Sequence, residues 1–174
     1  PNFDSNPFPT TVQAYFRGVL NRVKPMRVVH IITGWDDGGA EAVLYRLCTN
    51  DKQNYSTVVS LMDEGKYGPL LQSEGIEVHC LGMSRGGKNL RSIIKLWRLL
   101  RRYRPDVVQT WMYHADLIGG IVARSAGIGR VFWGVRHTDL GRELTKESTI
   151  RIVRLLAYLS RWVPKKIIFC ADKA

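Results

Sequence analysis

The stretch that most constrains the fold runs from Met26 to Leu47, MRVVHIITGWDDGGAEAVLYRL. Its first part, Arg27 to Thr33, is a β-branched apolar run that is long enough for a buried strand and too short for a typical helix. Positions 34 to 39 then supply glycines and aspartates that favour a turn, and from Ala40 onward apolar residues recur at helical spacing. The segment therefore predicts a strand, a glycine-rich loop and a helix. The first N–H groups of such a helix favour an anion at the carboxyl end of the strand.

Two common nucleotide-binding motifs do not fit this loop. The dinucleotide motif G-x-G-x-x-G would place its glycines at 34, 36 and 39, but position 36 is an aspartate. A P-loop needs Gly-Lys-Ser/Thr at the start of its helix, whereas Gly39 is followed by Ala40 and Glu41. The simplest alternative to a binding loop is that Gly38 and Gly39 only allow a tight turn and close helix packing.

The rest of the chain alternates predicted strands with predicted helices. Strands are predicted at 27–33, 55–61, 76–81, 106–111, 131–135 and 166–170, and helices from 40 and at 69–73, 89–103, 114–126 and 148–162. This alternation predicts an α/β fold, a Rossmann-like parallel sheet of about six or seven strands with helices on both faces. Right-handed crossovers then place every strand-to-helix loop at one edge of the sheet.

The first 25 residues are expected to be separate from this domain, which spans 26–174. Residues 1–10 carry three prolines and no periodicity, and Val12 to Val23 has one apolar stripe beside basic residues. That stripe fits a helix lying on a membrane surface or a helix packed on a protein partner. Since Met26 opens the domain, the preceding segment is either native or an extension.

Composition narrows the class of protein. The chain has 174 residues, is 45% hydrophobic and has a net charge of +11, which is ordinary for one globular domain except for the charge. A strong positive charge points to phosphate-bearing partners. No apolar run reaches the roughly 18 residues that span a bilayer, and no export leader is evident, so we expect a cytoplasmic location. The distant cysteines Cys48, Cys80 and Cys170 predict free thiols and no metal site.

The positive charge is concentrated around the predicted helix 89–103. Between Arg85 and Arg104 the chain has eight Lys or Arg residues and no acid. The apolar face is predicted to include Ile94 and Trp97, which would place Trp97 in the core. The basic face fits an anionic membrane, nucleic acid or plain solvent exposure.

Two further loops carry polar chemistry at the predicted carboxyl edge of the sheet. Trp111 to Asp116, WMYHAD, follows the fourth strand, and Arg136 to Asp139, RHTD, follows the fifth. Each contains a histidine with an acid two residues later, which packing does not require. Polar residues on such loops more often serve function than core positions do.

Three segments, HIITGWDDGGAEAVL, PDVVQTWMYHADLIGG and VFWGVRHTDL, resemble in order the amino-terminal half of the retaining GT-B glycosyltransferases of family 4. The resemblance implies the acceptor-side domain of an enzyme that moves a hexose from a nucleotide-sugar to a glycan or lipid-linked acceptor, as in polysaccharide biosynthesis. It implies no cofactor besides the donor substrate. The carboxyl-terminal, donor-binding domain of that family has no counterpart in 174 residues, so the fragment alone is expected to be inactive.

The resemblance also assigns roles to residues. His114 is the predicted catalytic residue, through a hydrogen bond to the transferred sugar, and two glycines are expected to bind the donor diphosphate. Adjacent acids sit badly beside a diphosphate, so Asp36 is assigned to the acceptor. The predicted diphosphate residues are Gly38 and Gly39, and the predicted acceptor residues are Trp35, Asp36, Tyr113, Asp116, Arg136 and His137.

A different class of function stays open. The charge alone would suit a non-enzymatic basic α/β module that binds nucleic acid or an anionic membrane. The chain has no recognisable nucleic-acid-reading motif, so nucleic acid is the less favoured partner. An enzyme of the resembled family would place the basic helix against the inner face of the membrane, as a peripheral protein.

Overall fold

The computed structural model describes residues 24–35, 39–84, 90–135 and 147–169. These residues form a six-stranded parallel sheet flanked by five helices, which confirms the predicted Rossmann-like α/β class. The strands are β1 (Arg27–Ile32), β2 (Tyr55–Ser60), β3 (Glu77–Cys80), β4 (Val107–Trp111), β5 (Val131–Val135) and β6 (Lys166–Phe169). The helices are α1 (Gly39–Asn50), α2 (Tyr67–Ser73), α3 (Leu90–Tyr103), α4 (Tyr113–Ser125) and α5 (Glu147–Leu159).

The strand order determines where a ligand can bind. The sheet runs β3-β2-β1-β4-β5-β6, so the direction of the winding reverses between β1 and β4. Ile32 at the end of β1 pairs with Trp111 at the end of β4. In open parallel sheets the carboxyl ends of the two strands at such a reversal form a crevice that binds ligands.

The helices form two layers because the crossovers change side at this reversal. The layer of α1 and α2 packs on β1 and β2 through the core cluster Ile32, Trp35, Leu44, Cys48, Val58, Leu71 and Trp111. The layer of α3, α4 and α5 covers the opposite face through a larger cluster that includes Ile31, Leu96, Leu100, Val108, Ala123 and Trp133. The sheet therefore has an apolar core on both faces, as the near-continuous apolar strands predict.

Helix α3 is rotated relative to the prediction. Trp97 is 38% exposed and Ile94 is 40% exposed, so the expectation that Trp97 lies in the core was wrong. Apolar residues occupy most of the circumference of α3, so periodicity does not fix which stripe packs inward. The buried residues are Ser92, Leu96, Leu99 and Leu100. The Ser92 hydroxyl lies on the buried side and donates to the Leu81 carbonyl at 2.8 Å.

The outer surface of the α3–α5 layer is consequently richer in apolar groups than expected. Ile121 of α4 and Leu155 of α5 are 43% and 44% exposed. Tyr158 and Trp162, at and just after the end of α5, are each 72% exposed. Among the described residues no helix is long and apolar enough to cross a membrane.

Two of the three cysteines fall within the described residues, and both are free thiols. Cys48 is buried, and burial raises the pKa of its thiol to about 12. Cys80 is half-buried. Cys170 and the predicted helix at 12–23 lie outside the described residues.

Candidate functional site

The reversal point brings two of the three predicted loops together. Thr33 to Trp35 leave the end of β1, and Met112 to His114 leave the end of the neighbouring strand β4. Val135, which ends β5, lies at the same edge because Gly134 pairs with Trp111. Of the predicted site residues, Asp36, Gly38, Arg136 and His137 lie outside the described residues.

Gly39 begins α1 at this edge and is exposed. A Cβ built on Gly39 would meet no atom within 4 Å, and its backbone has no positive φ. Close helix packing therefore does not explain this glycine. The open space beside the first turn of α1 is where a helix favours an anionic ligand.

Met112 holds a strained backbone between β4 and α4. Its φ of 73° and ψ of 155° belong to a region that glycine occupies almost exclusively. The Met112 carbonyl accepts the Asp116 N–H at 2.8 Å, which closes the first turn of α4. A residue held in such a conformation costs roughly 1–3 kcal/mol, and strain of this kind concentrates at functional sites.

The two residues after Met112 differ in exposure. His114, in the first turn of α4, is exposed at the carboxyl edge. Tyr113 is half-buried and packs against the larger core cluster. The imidazole of His114 is therefore available to a ligand, whereas Tyr113 has only part of its ring exposed.

Asp116 lies in the core rather than on the cleft surface, so its predicted contact with the acceptor does not fit the structure. It is 1% exposed, and its Oδ1 lies 2.5 Å from the Thr110 hydroxyl. Burial raises the pKa of this carboxyl to about 7, although hydrogen bonds from Thr110 and the Gly134 backbone act in the opposite direction. The Thr110 oxygen is also 3.2 Å from the Phe132 carbonyl. The Thr110 hydroxyl is the donor in both contacts.

Trp35 also differs from the prediction, because its ring is 3% exposed and presents no open face for stacking. The Tyr67 ring packs against it with centroids 5.9 Å apart. Gly65 approaches from the loop after β2, where its φ is +41° and an added Cβ would lie 2.5 Å from the Trp35 carbonyl oxygen. Trp35 therefore anchors the loop after β1 on the α1–α2 layer.

His30 is a polar group of this region that the sequence analysis did not single out. It lies within β1, is 3% exposed, and its Nδ1 accepts a hydrogen bond from Trp111 Nε1 at 3.3 Å. Burial lowers the pKa of this imidazole to about 4. In the segment RVVHII, His30 is the one histidine in an otherwise largely apolar strand. That placement is the sequence signal that could have identified it as a buried polar group.

Glu41 is a second buried polar residue in this region, 3% exposed in the first turn of α1. Within the four described ranges, no group of three or more His, Cys, Asp or Glu residues is arranged to hold a metal ion. The described part of the site offers two helix N-termini and the exposed imidazole of His114.

A parallel sheet with its polar loops at the reversal point defines a Rossmann-like class of domain, and comparison with known proteins gives the family. The family model described as Glycosyltransferase Family 4 matches residues 37–173. The chain therefore belongs to Glycosyltransferase Family 4. A search of curated protein sequences finds no match.

Solved structures with the same fold are GT-B glycosyltransferases. Anabaena Alr3699/HepE in complex with UDP-glucose superposes with a TM-score of 0.65 at 18% identity, over 82% of this chain and 36% of that one. Acinetobacter baumannii MurG superposes with a TM-score of 0.58 at 16% identity, over 86% of this chain and 43% of that one. The chain thus has the fold of one half of a GT-B enzyme and spans less than half the length of these proteins.

Proposed function

We propose that this chain is the acceptor-side half of a retaining glycosyltransferase that moves a hexose from a nucleotide-sugar to a glycan or lipid-linked acceptor. The observation that carries the proposal is that α1, with Gly39, and α4, with His114, both begin beyond the carboxyl ends of the paired strands β1 and β4. Membership of Glycosyltransferase Family 4 and the UDP-glucose complex of HepE support a nucleotide-sugar donor.

The proposed roles follow from the chemistry of transfer. The leaving nucleoside diphosphate gains negative charge, which the first N–H groups of α1 beside Gly38 and Gly39 stabilise. His114 donates a hydrogen bond to the transferred sugar. Arg136 and His137, in the loop after β5, bind the acceptor. Binding of the nucleotide-sugar also needs a donor-binding domain on the other side of the cleft. The isolated chain therefore does not catalyse transfer.

Peripheral binding to an anionic membrane is the second part of the proposal. Trp97, Tyr158 and Trp162 are exposed on or beside the outer surface of the α3–α5 layer, and α3 carries a row of exposed cations. Aromatic rings at the headgroup level together with Lys and Arg residues are typical of interfacial surfaces. The exposed basic residues of α3 are Arg91, Lys95, Arg98, Arg101 and Arg102.

The transfer reaction is tested by His114→Ala in an enzyme that contains this chain together with its donor-binding half. Loss of one hydrogen bond that stabilises the transition state lowers kcat by roughly 100-fold or more. The melting temperature should stay unchanged because the His114 side chain is exposed. The control is Ser125→Ala at the other end of α4. A kcat for His114→Ala within twofold of the unsubstituted enzyme would overturn the assignment.

Membrane binding is tested by flotation of the chain with vesicles of phosphatidylcholine alone or with phosphatidylglycerol. We expect flotation only with the anionic lipid, and we expect Trp162→Ser to reduce it. The control is Tyr55→Ser, because Tyr55 is 70% exposed on the sheet at the start of β2. Salt-sensitive DNA binding without flotation would favour the nucleic-acid alternative instead.

A further inference from the structure

A cleft of about 580 Å³ lies at the amino edge of the sheet, across the molecule from the candidate site. The C-terminal ends of α3 and α4 form it together with the turns that lead into β4 and β5. Strands of five residues separate the two edges by roughly 16 Å. The lining residues are Leu100, Arg101, Arg104, Pro105, Asp106, Ala126, Gly127, Ile128, Gly129 and Arg130.

The lining is positively charged. Arg101, Arg104 and Arg130 are all exposed, and within the described ranges none of their guanidinium groups makes an ion pair with a carboxylate. The Arg101 guanidinium lies over the Trp97 ring, 5.5 Å from its centroid. The cleft has one acid, Asp106, whose Oδ2 accepts the Arg27 N–H at 2.8 Å and lies 3.7 Å from Arg27 Nε.

Capping of the two helices does not require these arginines. The Leu100 carbonyl of α3 accepts the Arg104 backbone N–H at 2.9 Å, and the Tyr103 carbonyl accepts Arg27 Nη1 at 3.1 Å. Helix α4 ends in a Schellman arrangement, with Gly127 N–H donating to Arg124 and Ile128 N–H donating to Ala123. The side chains of Arg101, Arg104 and Arg130 are therefore not needed to cap these helix ends.

The backbone at the two helix ends supplies an independent observation. Gly127 ends α4 with φ of +87°, which is the usual residue for this left-handed position. Arg104 occupies the equivalent position at the end of α3 with φ of +44°, where a side chain is strained. The chain therefore keeps an arginine where folding alone favours glycine, and strain of this kind marks functional positions.

We propose that this cleft is a binding site for a phosphate group, held by Arg101, Arg104 and Arg130. Guanidinium groups bind phosphate oxygens in pairs through their planar N–H donors, and three of them around one cleft match the charge of a phosphomonoester or diphosphate. The phosphate comes either from a soluble anion or from a lipid headgroup. The site goes beyond the proposed transfer reaction, because it lies at the opposite edge of the sheet.

The test is calorimetric titration of the chain with inorganic pyrophosphate at low salt. We expect Arg104→Gly and Arg130→Gln each to weaken binding about tenfold, the loss typical of one charged hydrogen-bonding partner. Arg104→Gly should unfold at the same temperature as the unsubstituted chain or higher, because glycine relieves the strained backbone. A weakened site in a stable variant separates loss of the ligand from loss of the fold.

The control is Arg46→Gln, an exposed arginine of α1 that does not line the cleft and lies outside the basic surface of α3. It should leave pyrophosphate binding unchanged. Vesicles containing phosphatidylglycerol distinguish the two sources: Arg104→Gly weakens flotation as well if the phosphate belongs to a lipid, and weakens pyrophosphate binding alone if the anion is soluble. Unchanged binding in Arg104→Gly, or an equal loss in Arg46→Gln, would overturn the site. Neither donor nor acceptor is present, so the result is independent of the transfer reaction.

Discussion

Helices α1 and α4 both begin at the reversal point, but they pack against the sheet in different ways. Helix α1 packs on its face through side chains such as Leu44 and Cys48, and its first residue, Gly39, is open to solvent. Helix α4 packs through glycine: a Cβ on Gly120 would lie 2.6 Å from Trp133 Nε1, and one on Gly119 would lie 3.1 Å from Ile31.

This difference separates two uses of glycine and two environments for buried polar groups. In α1, Gly39 has open space beside it, whereas in α4 the glycines let the helix approach so closely that Asp116 is enclosed against Thr110. His30 is enclosed on the other face of the sheet, on the same side as Ile32. Each face therefore buries at least one titratable group, Asp116 on one and His30 on the other.

The largest expected effect is on the pH dependence of stability, to which Asp116 and His30 contribute in opposite directions. Asp116 has its pKa raised from 3.8 to about 7, so between these values the folded state holds a proton that the unfolded state has lost, and stability falls as pH rises. His30 has its pKa lowered from 6.5 to about 4, so the unfolded state binds the extra proton there and stability rises with pH. The two slopes are opposite and nearly cancel between pH 4 and 6.5.

Substitution of one of these two residues should leave only the pH dependence that comes from the other. In Asp116→Asn the free energy of unfolding should rise by about 3 kcal/mol from pH 4 to 6.5, and in His30→Asn it should fall by about 4 kcal/mol from pH 4 to 7. The unsubstituted chain should change little over the lower part of that range. Urea unfolding at half-unit steps of pH measures all three. Parallel curves for the three proteins would contradict the burial of both groups.

The sequence predicted the strands and helices to within a few residues, and it placed Gly39 and His114 at one edge. It did not predict which side chains would be enclosed. Asp116 is buried because the glycine pair of α4 lets the helix approach the sheet, and Trp35 is buried because α2 and Gly65 cover it. Both depend on how close two elements approach, a distance that periodicity along one element does not encode.

The second largest effect tests the close packing of α4 against the sheet. Gly120→Ala should lower the free energy of unfolding by about 2 kcal/mol, because Trp133 is 2% exposed and has no space to move away from the new methyl group. Urea unfolding against Gly129→Ala provides the control, since a Cβ at Gly129 has its nearest contact at 3.9 Å. Equal stability of the two variants would mean that α4 is not held against the sheet by its glycines.

The smallest effect tests the exposed N-terminus of α1 at Gly39. Gly39→Ala should leave the fold intact or slightly more stable, because alanine is the better helix former and its Cβ meets no neighbour. In an enzyme that includes the donor-binding half, the same methyl group would occupy the space beside the first N–H groups of α1. The dissociation constant of the nucleotide-sugar should then rise about tenfold, as expected when one charged hydrogen bond is lost. Arg46→Ala, which changes an exposed residue further along α1, should leave that constant unchanged. Unchanged donor affinity in Gly39→Ala would place the diphosphate elsewhere and make the open end of α1 a feature of the fold alone.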